Sequence, residues 1–174
     1  MLQAGGHHGG VGGSTFGRVM SQQHSPFDYS SEVLASLPRH SVSVAGIVVN
    51  SAGQILAIRR RDNDHWQPPG GVLETHEAFE DGVRREVAEE TGAHVEVERL
   101  TGLYKNVKAG IVAAVFRCRP LTEPANETAE AVEVAWIDRA DVPHLMTPTF
   151  TARVLDAFET VPRVRTHDGT QLLD

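Results

Sequence analysis

An α/β domain with a mixed β-sheet is the fold class that the sequence predicts. Extended segments rich in Val and Ile flank one central amphipathic helix, and a second amphipathic helix follows the last of them. The composition, 40% hydrophobic and 22% charged, is that of an ordinary globular domain. A chain of 174 residues is long enough for one domain with extensions.

Composition divides the chain into three segments. Residues 1–40 are expected to form a flexible N-terminal extension, because seven of the 16 glycines fall in the first 17 residues and no acidic residue precedes Asp28. Residues 41–161 are expected to fold as the domain. Residues 162–174 form a polar C-terminal tail that we expect to fray.

The domain is expected to begin with two strands. Ser41–Asn50 and Ile55–Arg60 are rich in Val and Ile, and the short turn between them contains a glycine, so they predict a β-hairpin. Residues 61–69 then predict a polar loop, and residues 70–73 predict a short extended segment.

A helix is expected next. It should begin near Thr75, which can cap its first turn, and continue to about Glu90. Gly92 suits the left-handed conformation that commonly ends a helix. Apolar residues spaced by four form its expected buried stripe: Phe79, Val83 and Val87.

The second half of the domain predicts three strands and a closing helix. The strands are expected at residues 95–104, 110–118 and 132–138, with a polar loop at residues 121–130. The helix should begin at Thr147-Pro148, because proline is tolerated in the first turn.

Charge, hydropathy and cysteine content argue against several classes of protein. No run of about 18 apolar residues occurs, so we expect no membrane span. The N-terminal residues lack the basic start and apolar centre of a signal peptide, which favours a cytoplasmic location. Cys118 is the single cysteine, so an intramolecular disulfide and a multi-cysteine zinc site are excluded. The net charge of −7 argues against broad nucleic-acid binding.

The predicted central helix carries an unusual concentration of carboxylates. Glu86, Glu89 and Glu90 lie at positions i, i+3 and i+4, so they share an arc of roughly 100°. Residues 77–90 hold six acidic side chains against two arginines, and no lysine relieves the repulsion. Such a cluster is either a solvated acidic face or a site for a hard divalent cation, Mg²⁺ or Mn²⁺. The spacing of these three residues alone leaves both interpretations open.

The wider spacing resembles the signature of the Nudix hydrolase family. Its fixed positions are matched in order by Gly71, Glu77, Arg85, Glu86, Glu89, Glu90 and Gly92. The resemblance implies a Nudix-type α/β/α sandwich with a mixed β-sheet. It also implies hydrolysis of a pyrophosphate linkage in a nucleoside diphosphate linked to another group, with Mg²⁺ or Mn²⁺ as cofactor.

The resemblance also assigns roles to individual residues. It implies that Glu86, Glu89 and Glu90 are the catalytic carboxylates and metal ligands, joined by the backbone carbonyl of Gly70. A bound cation would reverse the local charge and attract an anionic diphosphate.

Two further pairs follow from the resemblance. Glu77 and Arg85 are expected to form a structural ion pair. Glu127 and Glu130, in the loop before the last strand, are candidates for a carboxylate that activates water, although each could equally be a solvated loop acid.

Four residues outside the signature are candidate substrate contacts. Arg59 and Arg61 end the second strand just before the signature, where either could bind a phosphate or simply be exposed. Trp66 could stack on a base or be structural. Tyr104 stands where one predicted strand, residues 95–104, gives way to the connection to the next, and it is a candidate substrate contact there.

The substrate and the functional class stay open at this stage. The leading hypothesis is a hydrolase of a small-molecule, nucleotide-type substrate. Residues 105–110 lack the markers that separate the Nudix subfamilies, so the particular substrate is not assigned. The alternatives are a non-catalytic Nudix-fold module that binds a nucleotide or sugar-nucleotide, and an isomerase with a related fold. A homodimer is compatible with the sequence, but no local pattern indicates an interface.

Overall fold

A computed structural model describes residues 29–173. The predicted flexible segment lies largely outside the described residues. Among the described residues, 29–37 and 38–173 belong to two separate units. In the described part of the first, helix α1 spans Ser31–Ser36, and the Ser30 hydroxyl accepts a hydrogen bond from the Val33 amide.

The second unit contains eight strands and three helices within the part of the chain that the structure describes. The strands are β1 (Ser41–Val48), β2 (Ile55–Arg60), β3 (Trp66–Gln67), β4 (Gly70–Val72), β5 (Val95–Asn106), β6 (Ile111–Pro120), β7 (Ala131–Ile137) and β8 (Arg163–His167). The helices are α2 (Phe79–Thr91), α3 (Val142–Leu145) and α4 (Pro148–Asp156). No helix between residues 29 and 173 is long and apolar enough to cross a membrane.

The strands form two sheets. The larger has the order β4-β1-β6-β5-β8, with β1 parallel to β6 and β5 parallel to β8, while β4 and β1 run antiparallel, as do β5 and β6. The smaller sheet, β3-β2-β7, is antiparallel. The predicted α/β fold with a mixed sheet is therefore confirmed.

The predicted hairpin between the first two strands is wrong. β1 pairs with β4 and β6, whereas β2 pairs with β3 and β7 in the other sheet. A single bridge, Val49 to Ile55, joins the two segments. The turn forms because the Asn50 Oδ1 accepts hydrogen bonds from the Ala52 and Gln54 amides, but the strands diverge beyond it.

Both faces of β1 are buried, which explains its nearly continuous apolar sequence. Val44 and Val48 face a core cluster that includes Val83 and Val87 of α2. Ala45 and Ile47, which alternate with them, belong to a second cluster that includes Val154 of α4. Helices α2 and α4 therefore cover opposite faces of the large sheet, giving the α/β/α layering.

Helix α2 begins later than predicted. Its N-cap is Ala78, which offers no side-chain cap, and Thr75 lies outside the helix. The Glu77 carboxylate instead accepts a hydrogen bond from the Glu74 amide, which fixes the turn before the helix. The helix ends as predicted, because Gly92 adopts φ +71° and its amide donates to the Ala88 carbonyl.

The expected fraying after residue 161 is also wrong for the start of the tail. Residues 163–167 form β8 and pair in parallel with residues 102–106 of β5. Their burial pattern lacks the regular alternation that identifies a strand in sequence, since Val164 is exposed. Two other elements, α3 and β3, were not predicted because they are too short to show a periodic pattern.

A buried polar network connects α4 to the sheet. The Tyr104 hydroxyl donates to Asp156 at 2.8 Å, and Arg165 of β8 donates two hydrogen bonds of 2.7 Å to the same carboxylate. Burial alone would raise the pKa of Asp156, but the bonds from Arg165 and Tyr104 outweigh it and lower that pKa below its ordinary value of 3.8. Asp156 thus fastens the C-terminal strand to the domain.

Replacing this carboxylate should make the domain less stable at neutral pH. We expect Asp156→Asn to lower the free energy of unfolding by about 1–3 kcal/mol at pH 7. Because the folded-state pKa is depressed, the contribution is complete above pH 3.8 and disappears as the pH falls through the lower folded value. Urea titrations at several pH values measure both effects. Asp141→Asn, at an exposed position, should change neither curve; equal curves for Asp156→Asn and the unmodified protein would contradict the prediction.

Candidate metal and active site

Two carboxylates of α2 turn inward and meet the glycine pair of β4. Glu90 is only 1% exposed, and its Oε2 accepts a hydrogen bond of 2.7 Å from the Gly70 amide. Glu86, one turn earlier, packs against Gly71 so closely that a Cβ there would lie 2.5–2.6 Å from the carboxylate atoms. Glycine at position 71 therefore makes room for the Glu86 carboxylate.

Burial perturbs both groups. The pKa of Glu90 is raised to about 7, mainly by burial; the Gly70 amide and Arg60 oppose the rise, and the negative charges of Glu86 and Glu130 add to it. Burial also raises the pKa of Glu86, although contact with Arg85 opposes that change. Burial disfavours the charged forms of both carboxylates, and a nearby cation would stabilise those charged forms.

Arg85 is the cation that contacts most of the cluster. It donates to Glu77 at 2.7 and 3.1 Å, to Glu86 at 2.7 Å and to Glu89 at 3.1 Å. It also donates to the Val72 carbonyl. The Glu77–Arg85 ion pair is present, and it holds the segment before α2 against the helix.

The donor set fits a hard divalent cation. Among residues 29–173, no three carboxylate, imidazole or thiol groups already surround one point that could hold a metal ion. Arg85 forms ion pairs with Glu86 and with the half-exposed Glu89. Adjacent carboxylates that are buried, with raised pKa values and oxygen donors only, nevertheless match what Mg²⁺ or Mn²⁺ requires.

The arginine that contacts Glu90 is not among the residues selected from the sequence. Arg60 donates to Glu90 at 3.4 Å and is also paired with Asp62. Arg59 instead pairs with Asp64 and Glu133, on the other face of β2.

A signal for Arg60 was available in the alternation of β2. Leu56 and Ile58 both face the α2 cluster, so the residue two positions further on must point the same way. Arg61 is directed into the 128–131 loop, where it donates to the backbone carbonyls of residues 128, 129 and 131.

The two loop acids lie in different surroundings. The charge of Glu130 raises the pKa of both Glu86 and Glu90, which places it beside the site. Glu127 is exposed and lies 4.0 Å from Arg61. The loop is tied to α2 because the Thr128 hydroxyl donates to the Glu90 carbonyl.

The two aromatic candidates, Tyr104 and Trp66, differ in how deeply they are buried. Tyr104 is 1% exposed and its hydroxyl is bound to Asp156, so the expected substrate contact is corrected to a role in the core. Trp66 is half-buried on β3, where it pairs with Arg59 and packs against the α4-side cluster.

Comparison with known proteins settles the family. The family model of the NUDIX domain matches residues 39–158. The chain belongs to the Nudix hydrolase family. It is similar to a MutT-like protein from Streptomyces ambofaciens, with 51% identity over 79% of this chain and 90% of the relative.

Other Nudix proteins are more distant. A putative 8-oxo-dGTP diphosphatase from Bacillus subtilis is 28% identical over 63% of this chain and 74% of its own length. The crystal structure of a Nudix hydrolase from Nitrosomonas europaea superposes with a TM-score of 0.65 at 21% identity, covering 75% of this chain and 78% of the other. At that identity the structural likeness supports the Nudix fold alone.

Proposed function

We propose that this Nudix hydrolase cleaves a pyrophosphate linkage in a nucleoside diphosphate linked to another group, and that it requires Mg²⁺ or Mn²⁺. The observation that carries the proposal is the pair of inward-facing carboxylates, Glu86 and Glu90, set against Gly70 and Gly71. A buried acidic pair is costly to maintain, and a bound cation relieves that cost.

The residues that would hold the metal are Glu86, Glu89, Glu90 and the Gly70 carbonyl. When bound there, the cation supplies positive charge to the phosphate oxygens and lowers the pKa of a coordinated water. Arg85 keeps Glu86 and Glu89 in position before the cation arrives. The ion pair between Arg85 and Glu77 keeps that arginine on the helix face.

Two residues beside the carboxylates complete the proposed mechanism. Arg60 places a permanent positive charge next to Glu90, where it can stabilise negative charge that develops on the phosphate. Glu130 is the better placed of the two loop acids to accept the proton of the attacking water, since its charge acts on both buried carboxylates.

A small-molecule nucleotide is the substrate class that we propose. The site lies at β4, the edge strand of the large sheet, where Glu86 and Glu90 meet two glycines. A relative whose name specifies a nucleotide diphosphatase supports this class. The net charge of −7 disfavours broad binding to nucleic acid.

A panel of nucleotides tests the proposal. Nucleoside triphosphates, their oxidised forms, ADP-ribose, dinucleoside polyphosphates and sugar-nucleotides are incubated with the full chain in Mg²⁺, and the products are resolved by chromatography. We expect at least one to yield a nucleoside monophosphate or inorganic pyrophosphate. EDTA should abolish turnover, and added Mg²⁺ or Mn²⁺ should restore it.

The same panel identifies the alternative, a nucleotide-binding module. If no compound is cleaved while one raises the unfolding temperature, binding without hydrolysis is the better interpretation. Turnover that persists in EDTA would contradict the metal requirement without contradicting the hydrolase assignment.

A further inference from the structure

Arg153 of α4 is a charged side chain that the proposed mechanism does not use. Its Nε is buried and has no hydrogen-bond partner within residues 29–173. Its guanidinium lies over the rings of Tyr104 and Phe150, 5.4 and 5.2 Å from their centroids. No carboxylate in the described part of the chain forms an ion pair with it.

This arrangement is unfavourable for the isolated protein. Burial lowers the pKa of Arg153 to about 10, so the guanidinium is still charged at neutral pH. The faces of the two aromatic rings offset part of the lost hydration. They leave the buried Nε–H without the oxygen acceptor that it needs. The side chain is therefore arranged to receive an anion that the protein does not supply.

A small cavity offers a place for that anion. Its volume is about 120 Å³, which exceeds the space of a single water molecule. Arg153 lines it together with Ser43 of β1, Gln67 of β3 and the glycines Gly70 and Gly71. Among the described residues that line this cavity, Arg153 carries the one charged side chain.

The cavity adjoins the carboxylate site across a single strand. The glycine pair of β4 contacts Glu86 and Glu90 on the α2 side, and the same pair lines the Arg153 cavity on the α4 side. Only the backbone of Gly70 and Gly71 therefore separates the carboxylate site from the cavity.

We propose that Arg153 binds a phosphoryl oxygen of the substrate in this cavity, and thereby orients the nucleotide relative to the carboxylate site. The inference rests on the proposed function, since it takes the anion to be a phosphate of the hydrolysed molecule. A guanidinium can give a phosphate two parallel hydrogen bonds, which fixes orientation as well as position. Arg153 would then affect substrate binding more than the chemical step.

A purely structural role for Arg153 makes a different prediction. Arg139 also stacks on an aromatic ring, that of Phe158 at 4.3 Å, but it is exposed and does not line the cavity. If Arg153 served only to pack against Tyr104 and Phe150, its loss would change stability and leave ligand affinity unchanged. Arg139→Gln is therefore a control matched in charge and in ring contact.

The test uses methylenediphosphonate, a pyrophosphate analogue whose P–C–P bridge resists hydrolysis and which needs no particular base. Its affinity for the full chain is measured by calorimetry in Mg²⁺ and in EDTA, for the unmodified protein, Arg153→Gln, Arg153→Lys and Arg139→Gln. We expect Arg153→Gln to raise Kd by about 10- to 100-fold. Arg153→Lys should recover part of that loss, and Arg139→Gln should bind as the unmodified protein does. Unfolding temperatures of all four proteins show that they are folded.

The outcomes separate this proposal from the proposed function. Equal Kd values for the unmodified protein and a folded Arg153→Gln would overturn the role of Arg153, whatever the nucleotide panel shows. Failure of the unmodified protein to bind the analogue up to about 10 mM would overturn it as well. If the analogue binds in an Arg153-dependent manner while no nucleotide is cleaved, the anion site stands and the hydrolytic proposal fails. Where turnover is measurable, Arg153→Gln should raise KM far more than it lowers kcat.

Discussion

Glu90→Gln is expected to reduce hydrolysis by about a thousandfold or more while making the metal-free protein more stable. The amide has nearly the same shape as the carboxylate, and its oxygen can still accept the hydrogen bond from the Gly70 amide. The fold should therefore be unchanged. What disappears is a negative charge that is 1% exposed and belongs to the proposed metal site.

The stability change has a definite sign and a pH dependence. In the unmodified protein, the pKa of Glu90 rises from 4.5 to about 7 on folding, so the folded state binds a proton more tightly than the unfolded state does. Below pH 4.5 both states are protonated and Glu90 imposes no penalty on folding. The penalty grows between pH 4.5 and pH 7, and above pH 7 it lowers the free energy of unfolding by roughly 2–4 kcal/mol. Glutamine carries no such penalty. The variant should thus be more stable than the unmodified protein at pH 8 in EDTA, and the advantage should shrink at pH 5.

Added Mg²⁺ should reverse the order. A cation that binds the folded state alone stabilises it by mass action, and the unmodified protein has the full set of carboxylates to bind it. Thermal unfolding at pH 8 with EDTA and with Mg²⁺, together with rates on the cleaved nucleotide, measures both effects. Glu80→Gln, at an exposed position on the same helix, should alter neither. A variant that retains more than about a tenth of the activity would exclude Glu90 from the metal site.

The layers of the fold were predictable because they depend on strong local periodicity. The stripe formed by Val83 and Val87 and the continuous apolar run of β1 were sufficient to place α2 against the sheet. The partner of β2 was not predictable, because pairing with β7 depends on residues more than 70 positions away. β8 escaped prediction for a related reason: its stability comes from backbone pairing with β5 and from Arg165 on Asp156, not from an apolar face.

The spacing of the carboxylates in the sequence predicted the site, but it did not predict which of them are buried. Whether a glutamate is solvated or buried depends on what lies opposite, and for Glu86 and Glu90 that is the backbone of two glycines. Alternation with Leu56 and Ile58 could have selected Arg60, although the pairing of β2 with β7 shifts register between Arg59 and Arg60. Arg153 could not have been found in this way, because the ring of Tyr104 that it contacts comes from β5, a separate element.

A large loss of activity is also expected from Gly71→Ala, which adds only one methyl group. Gly71→Ala should lower kcat/KM by about a hundredfold with little loss of stability. The added Cβ would lie 2.5–2.6 Å from the carboxyl atoms of Glu86, so that carboxylate must move. Because it is the end of a flexible side chain, it can rotate away at small energetic cost. In doing so it leaves the position from which it would bind the cation.

Gly110→Ala gives the opposite pattern and serves as the control. Gly110 has φ +65° and no atom within 4 Å of an added Cβ, so alanine there meets backbone strain and no steric clash. It should lower the free energy of unfolding by about 1 kcal/mol and leave turnover intact. Gly71→Ala should instead weaken Mg²⁺ binding, so that a higher Mg²⁺ concentration is needed for the half-maximal rate of turnover. Full activity with unchanged Mg²⁺ dependence in Gly71→Ala would show that Glu86 does not need this position, and the metal site would then have to be built around Glu89 and Glu90.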